Sequence, residues 1–238
     1  IKNAASVNVY AYEHESQKSF EQLLNQKIDL IPSPFLPDKK NLTKTAKEKT
    51  SKKQILLYFG DAKAPKGFFQ LPKILTACLS CRQLGDYTFV VQYTLTNEVE
   101  AYLNIQNQLR QLAKGNQRVG LVEKYWTENK LINAIKESTS VLLNYDKKSY
   151  KNQSSGMLWL TAYLERYFVV TDENWLYREA ERLNANFGLV TLDELVKLPA
   201  KLLVEHNRRS LETDYRKILF GDFNAWLNNS LLEGKFAQ

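Results

Sequence analysis

Only two histidines, His14 and His206, and two cysteines, Cys78 and Cys81, occur in the 238 residues. The histidines lie far apart, so a zinc site or a Cys–His nucleophile has almost no material to draw on. Cys78 and Cys81 form C-x-x-C inside "LPKILTACLSCRQL", an apolar-periodic run that reads as a helix interior. With no second cysteine pair and no nearby histidine, they are expected to be ordinary buried or half-buried thiols. No apolar run approaches the roughly 18–20 residues that span a bilayer, and no charged segment followed by an apolar one marks a secretory signal. The glycosylation-like triplets at Asn41, Asn152 and Asn228 are therefore read as accidental. Zinc-finger spacing and other nucleic-acid motifs are absent, which argues against RNA or DNA as a partner. The chain begins at Ile1 and not at Met, so preceding sequence is expected.

What is present is material for a core, with 44% hydrophobic and 12% aromatic residues. That suits one large domain or two small ones. The net charge of +7 is mostly local: "DKKNLTKTAKEKTSKK", residues 38–53, sets seven lysines against Asp38 and Glu48. A lysine- and threonine-rich run with almost no apolar residues reads as a solvated linker, or as a patch that touches acidic lipid or another polyanion. Residues 1–37 read as the tail of a preceding domain. In them "SQKSFEQLLNQ" (16–26) is helical, and "IDLIPSPFLP" (28–37) is a strand that runs into a proline-rich exit.

From residue 54 onward strands alternate with helices. Strand readings fall at 54–60, 87–93, 117–123, 140–145, 167–172 and 187–191. Helices are predicted over 67–81, 97–113 with Thr96 or Asn97 as N-cap, 127–138 capped by Thr127, from about Ser155, and from about Glu173. The stretch 195–232 reads as helical with no further strand. This rhythm predicts an α/β domain over 54–238: a doubly wound parallel sheet with helices on both faces and a C-terminal helical extension. Trp159, Trp175 and Trp226 sit in apolar helical patterns and are expected to pack.

In such a sheet ligands bind beyond the carboxyl ends of the strands, which singles out two loops. "YFGDAKAPKGFF" (58–69) follows the first strand of the domain. Gly60 permits a tight turn there, Gly67 a close approach at the next helix, and Lys63 and Lys66 point positive charge at the crevice. It is neither a Walker A loop nor G-x-G-x-x-G, and two solvated surface lysines would read the same way. "YDKKSYKNQSSGMLWL" (145–160) separates a buried strand from a buried helix. Ser154 or Ser155 can cap that helix, and Gly156 clears its first turn, an arrangement that favours an anion, phosphate above all.

Taken together, G…KGF after the first strand, the glycine near 120, an apolar strand ending in "NYD", then "SSG" and "YFVVTD" resemble a family. It is the C-terminal, Rossmann-like, nucleotide-sugar-binding half of retaining, family-4-like glycosyltransferases with the GT-B fold. The resemblance covers about residues 31–187. It implies that Lys66, Ser154, Ser155 and Gly156 hold the donor diphosphate. Gly60 and Lys63 would line the crevice, Tyr145 would stand at its sugar or phosphate end, and Val122, Glu123, Lys124 and Tyr125 would lie where the base is held. It further implies transfer from a nucleoside diphosphate sugar to a glycan or lipid-linked acceptor, as in polysaccharide biosynthesis, with no metal or other cofactor. The acceptor would be bound by a missing N-terminal domain, leaving this chain inactive alone. The location would be cytoplasmic, with the lysines permitting contact with the inner membrane face.

One departure matters. The glutamate that such enzymes place after the glycine to bind the donor ribose is replaced by Leu160, and Glu165 is no obvious substitute. Losing charge-assisted hydrogen bonds of about 1.5–3 kcal/mol each would cut donor affinity by orders of magnitude. A non-catalytic binding or scaffold domain is therefore the alternative, and an unrelated doubly wound enzyme such as a sugar-nucleotide epimerase is a third reading.

Overall fold

The computed structural model describes residues 9–32, 54–96, 98–171, 173–200 and 223–230. The chain divides into two compact units, one of residues 1–37 and 214–238, the other of residues 38–213. The linker reading at 38–53, the proline-rich exit, the N-cap candidate Asn97 and most of the helical reading over 201–222 lie outside the described residues.

In the smaller unit two short parallel strands, β1 (Tyr10–Ala11) and β2 (Asp29–Leu30), flank helix α1 (His14–Leu24). A helix over 223–230 belongs to the same unit, and the Trp226 ring meets Tyr10 edge-on at 5.9 Å. The packing role read for Trp226 is what that contact provides.

The larger unit holds six parallel strands: β3 (Gln54–Tyr58), β4 (Tyr87–Gln92), β5 (Val119–Val122), β6 (Ser140–Leu143), β7 (Tyr167–Thr171) and β8 (Phe187–Val190). Their order is β5-β4-β3-β6-β7-β8. The chain therefore winds outward from β3 to β5, crosses back, and winds outward again from β6. Strands covered on both faces must be apolar on both, and β6 and β7 are buried at every position. The helices are α2 (Leu71–Ser80), α3 (Glu100–Gly115), α4 (Glu128–Glu137), α5 (Gly156–Tyr163), α6 (Trp175–Arg182) and α7 (Leu192–Lys197). The doubly wound parallel sheet predicted from the strand–helix rhythm is thus what the chain builds.

Several helix boundaries differ from the sequence reading. The helix placed from Gly67 begins at Leu71, because Gly67 takes a left-handed φ of 76° and two 3₁₀ turns, Ala64–Lys66 and Phe68–Gln70, come first. Helix α3 starts at Glu100 behind an extended Val99, and neither Val99 nor Thr127 of α4 uses a side chain to cap. Side-chain caps appear instead on α6, where Asn174 Oδ1 accepts from the Leu176 and Tyr177 amides, and on α7, where Thr191 and Glu194 form a capping box.

The core beneath α2 joins Phe68, Leu71, Ile74, Leu75 and Cys78 to Phe89, Val91 and Tyr93 of β4 and its exit. Each large side chain so buried contributes about 1.5–3 kcal/mol. Cys78 is fully buried, its thiol pushed up to about 12 chiefly by that burial, and both cysteines are free. A thiol so held carries little thiolate at neutral pH, in keeping with the packing role expected of it.

Trp159 and Trp175 pack edge-on at 5.6 Å, and the Trp159 indole donates to Glu179 at 2.7 Å. Glu179 is almost wholly buried, its carboxylate gripped by Arg182 at 2.8 and 2.9 Å. Breaking a buried pair costs about 3–5 kcal/mol; the partial exposure of Arg182 reduces this to roughly 2–3 kcal/mol. Glu179→Ala is expected to lower the urea midpoint accordingly, and Glu179→Gln to recover part of the loss by accepting from the indole.

Candidate functional site

The strand order reverses between β3 and β6, and in open sheets of this kind the ligand crevice lies beyond the carboxyl ends at such a switch point. The two loops chosen from sequence are those that leave these strands. They are locked together by one main-chain and one side-chain bond: Asp146 N donates to Pro65 O at 2.8 Å, and Asn144 Nδ2 donates to Gly67 O at 2.9 Å. The approach is so close that a Cβ on Gly67 would lie 2.1 Å from the Asn144 carbonyl oxygen. Gly67 is therefore required both for its backbone conformation and for the space it leaves.

Gly60, at φ 131°, turns the chain under Lys66; a Cβ there would meet the Lys66 ammonium at 3.6 Å. Its amide donates to Gln92 Oε1 at 3.0 Å, and Gln92 Nε2 donates to the Lys124 carbonyl at 2.8 Å. Gln92, buried at the end of β4, thus ties the loop after β3 to the loop after β5. Nothing in its sequence position beyond a polar residue at a strand's carboxyl end signals this role.

Lys66 and Lys63 both converge on Asp61. Lys66 Nζ lies 3.4 Å from Asp61 Oδ2 and is only 14% exposed, while Lys63 Nζ lies 3.1 Å from the same oxygen. The other oxygen, Oδ1, accepts from the Tyr125 hydroxyl at 3.1 Å. Burial alone would raise the Asp61 pKa, but the two lysines and Tyr125 outweigh it and hold the carboxyl below its ordinary range. The crevice mouth is therefore a positive cluster that already contains a counter-charge.

Of the stretch expected near a base, Tyr125 reaches the cluster and the others do not. Val122 ends β5, and Lys124 contributes its carbonyl to Gln92. The Glu123 carboxylate is taken by the Arg110 guanidinium at 2.8 and 3.0 Å and by the Tyr93 hydroxyl. Arg110 above all holds its pKa below the ordinary value. That fork fastens α3 to the end of β5.

Across the crevice Tyr145 is buried, its ring 4.5 Å from Tyr150. Its hydroxyl faces Ser155 outside normal hydrogen-bond geometry, and burial pushes the phenol well above its usual pKa. Tyr150 in turn accepts from the Trp175 amide, so the polar loop is anchored at its centre while Lys147, Lys148 and Lys151 face solvent. Ser155 sits at the N-cap of α5, but its side chain makes no capping bond, contrary to the sequence expectation; its main-chain carbonyl accepts from Leu158 and Trp159 instead. Ser154 is half-buried just before it. Among the described residues the Gly156 and Met157 amides find no protein partner, and a Cβ on Gly156 would meet nothing within 4 Å. The start of α5 is thus open to solvent.

Leu160 is half-buried on α5. Glu165 follows the helix at φ 56°, nine residues beyond Gly156. At 1.5 Å per residue that is roughly 13 Å from the helix start, too far to take over a contact there. Among the described residues no group of three acidic, histidine or cysteine side chains is placed to hold a metal, and no helix is long and apolar enough to cross a membrane.

No protein-family model and no curated protein matches the chain. Solved structures do. A trehalose-6-phosphate synthase studied with bisubstrate glycomimetics aligns with a TM-score of 0.61 at 14% identity, over 82% of this chain and 48% of that one. A UDP-forming α,α-trehalose-phosphate synthase from Burkholderia xenovorans, in complex with glucose-6-phosphate, gives 0.58 at 10% identity over 94% and 50%. The Escherichia coli trehalose-6-phosphate structure bound with UDP-2-fluoro glucose gives 0.58 at 14% over 76% and 44%. At these identities the likeness is one of fold: a Rossmann-like doubly wound sheet of the kind found in GT-B glycosyltransferases. The chain spans about half the length of the structures it matches.

Proposed function

We propose that this chain is the C-terminal, donor-binding half of a retaining GT-B glycosyltransferase, moving sugar from a nucleoside diphosphate to a glycan or lipid-linked acceptor. The observation that carries this reading is the switch-point crevice itself. A mostly buried lysine stands over a glycine turn on one side, and the unpartnered first-turn amides of α5 lie on the other. Two such donors on a leaving diphosphate stabilise the charge that develops as the sugar departs, which is electrostatic catalysis with no metal required. Tyr125 would contact the nucleoside end. The donor domain would begin at residue 54, with 214–238 falling in one compact unit with 1–37, the end of an acceptor domain, and 38–53 would be a linker that permits contact with an acidic membrane surface at the cytoplasmic face. Acceptor groups would come from that preceding domain, so this chain alone should not turn over.

A second reading is supported by Asp61 together with Leu160. A fixed carboxylate on both lysines, and a leucine where the resemblance implies a ribose-binding glutamate, suit a scaffold that has given up its donor. Lys66→Ala separates the two. If a diphosphate binds here, removing a charge-assisted contact should weaken nucleotide binding by about tenfold or more, as read by equilibrium dialysis. Equal retention of UDP, GDP and ADP by variant and wild type would remove Lys66 from the site.

A further inference from the structure

Helices α2 and α3 leave between them a groove of about 800 Å³, lined by residues other than the Asp61, Lys63 and Lys66 of the crevice mouth. That volume lies within the range of small-molecule sites. Five carboxamides line it: Asn104, Asn107, Gln108 and Gln111 on α3, and Asn116 just beyond. The spacing of the first four is i, i+3, i+4, i+7, which places them in one stripe. Among the described residues the side chains of those four make no bond to another protein group, whereas Asn116 Oδ1 accepts from the Arg118 amide. Leu79 and Leu112 supply apolar surface beside them.

Among the described residues no charged side chain lines the groove, in a chain of net charge +7. Burying an ion without a counter-charge is costly, so this surface disfavours ionic ligands and suits neutral ones. Each carboxamide offers two N–H donors and a carbonyl acceptor, which matches the paired donor and acceptor character of vicinal hydroxyls. Apolar side chains between the amides can take the C–H face of a sugar ring. From Asn104 to Gly115 the stripe runs roughly 16 Å, long enough for a short chain of rings. One end adjoins the crevice: Pro72 follows the turn after Lys66, and Tyr102, two residues before Asn104, receives the Ala64 amide through its hydroxyl.

We propose that this groove binds a neutral, hydroxyl-rich chain, an oligosaccharide, at a site separate from the sugar-nucleotide crevice. Such binding needs only the groove and is independent of whether the crevice takes a donor. Among the described residues no aromatic side chain lines the groove, so affinity is set by hydrogen bonds.

The test is a ligand-observed NMR titration of the full chain with neutral linear α-glucan, β-glucan and mannan oligosaccharides, for wild type and Asn107→Ala/Gln111→Ala. Alanine at exposed helical positions is not expected to disturb folding, and circular dichroism of the variant checks this. Saturable binding of at least one oligosaccharide, weakened about fivefold or more in the variant with UDP retention unchanged, is the expected result. No saturation by any of them up to about 10 mM, or equal binding by the variant, would overturn it. Sedimentation equilibrium on the same samples provides another check: a dimer that the double substitution dissociates would assign the face to a second copy and overturn the glycan reading.

Discussion

Gly67→Ala is expected to destabilise the larger unit by about 3 kcal/mol or more, the largest single-residue effect foreseen here. Two costs add. A non-glycine residue held at φ 76° carries strain of about 1–3 kcal/mol. The new methyl would also lie 2.1 Å from a main-chain oxygen, and relief means parting the loops that leave β3 and β6. Parting them breaks the Asn144–Gly67 and Asp146–Pro65 bonds and moves Lys66 away from the crevice floor. Urea denaturation should show the lower midpoint. Gly156→Ala is the control, since its Cβ meets nothing and it lies in a helix, where alanine is favoured over glycine. Equal midpoints for the two variants would contradict the interlock.

Asp61→Asn should tighten nucleotide binding about tenfold at pH 7 while lowering stability. In the free protein Asp61 offsets part of the charge of Lys63 and Lys66, and an arriving diphosphate must compete with it. Removing one negative charge a few ångström from the ligand is worth about 1.4 kcal/mol after solvent screening, which is tenfold. The stability effect has the opposite sign. The folded carboxyl titrates below its ordinary value, so its contribution is complete above the unfolded pKa and is lost as pH falls through the folded one. The difference in urea midpoint between wild type and Asp61→Asn should therefore be present at pH 7 and close on acidification below the ordinary carboxylate range. Unchanged nucleotide affinity in the variant would show that Asp61 does not compete for the lysines.

The sheet was legible because its signal is local. Buried parallel strands are short apolar runs, and β6 and β7 show this in "SVLL" and "YFVVT". The carboxyl-end rule then pointed to the loops after β3 and β6 before any distance was known. Helix starts were less legible: "KGFF" scans as helix, yet Gly67 turns left-handed to clear Asn144, 77 residues away. The serine expected to cap α5 does not, because Ser155 turns its side chain toward the buried Tyr145. Asp61 stood in the same quoted loop as Lys63 and Lys66. Spacing alone could not show that the turn at Gly60 folds its carboxylate onto both. Gln92 and the Arg110–Glu123 fork were likewise hidden, since each joins segments that only the folded sheet brings together.

On the proposed reading the crevice between β3 and β6 holds the diphosphate of a sugar nucleotide. Calorimetric titration of the chain with UDP, GDP and ADP, beside a Lys66→Ala/Ser155→Ala variant of verified fold, tests it most directly. Saturable binding of one nucleotide at one site, lost in the variant, is the expected result. Heats no larger than dilution up to millimolar concentration, repeated on a protein that includes the preceding domain, would contradict it.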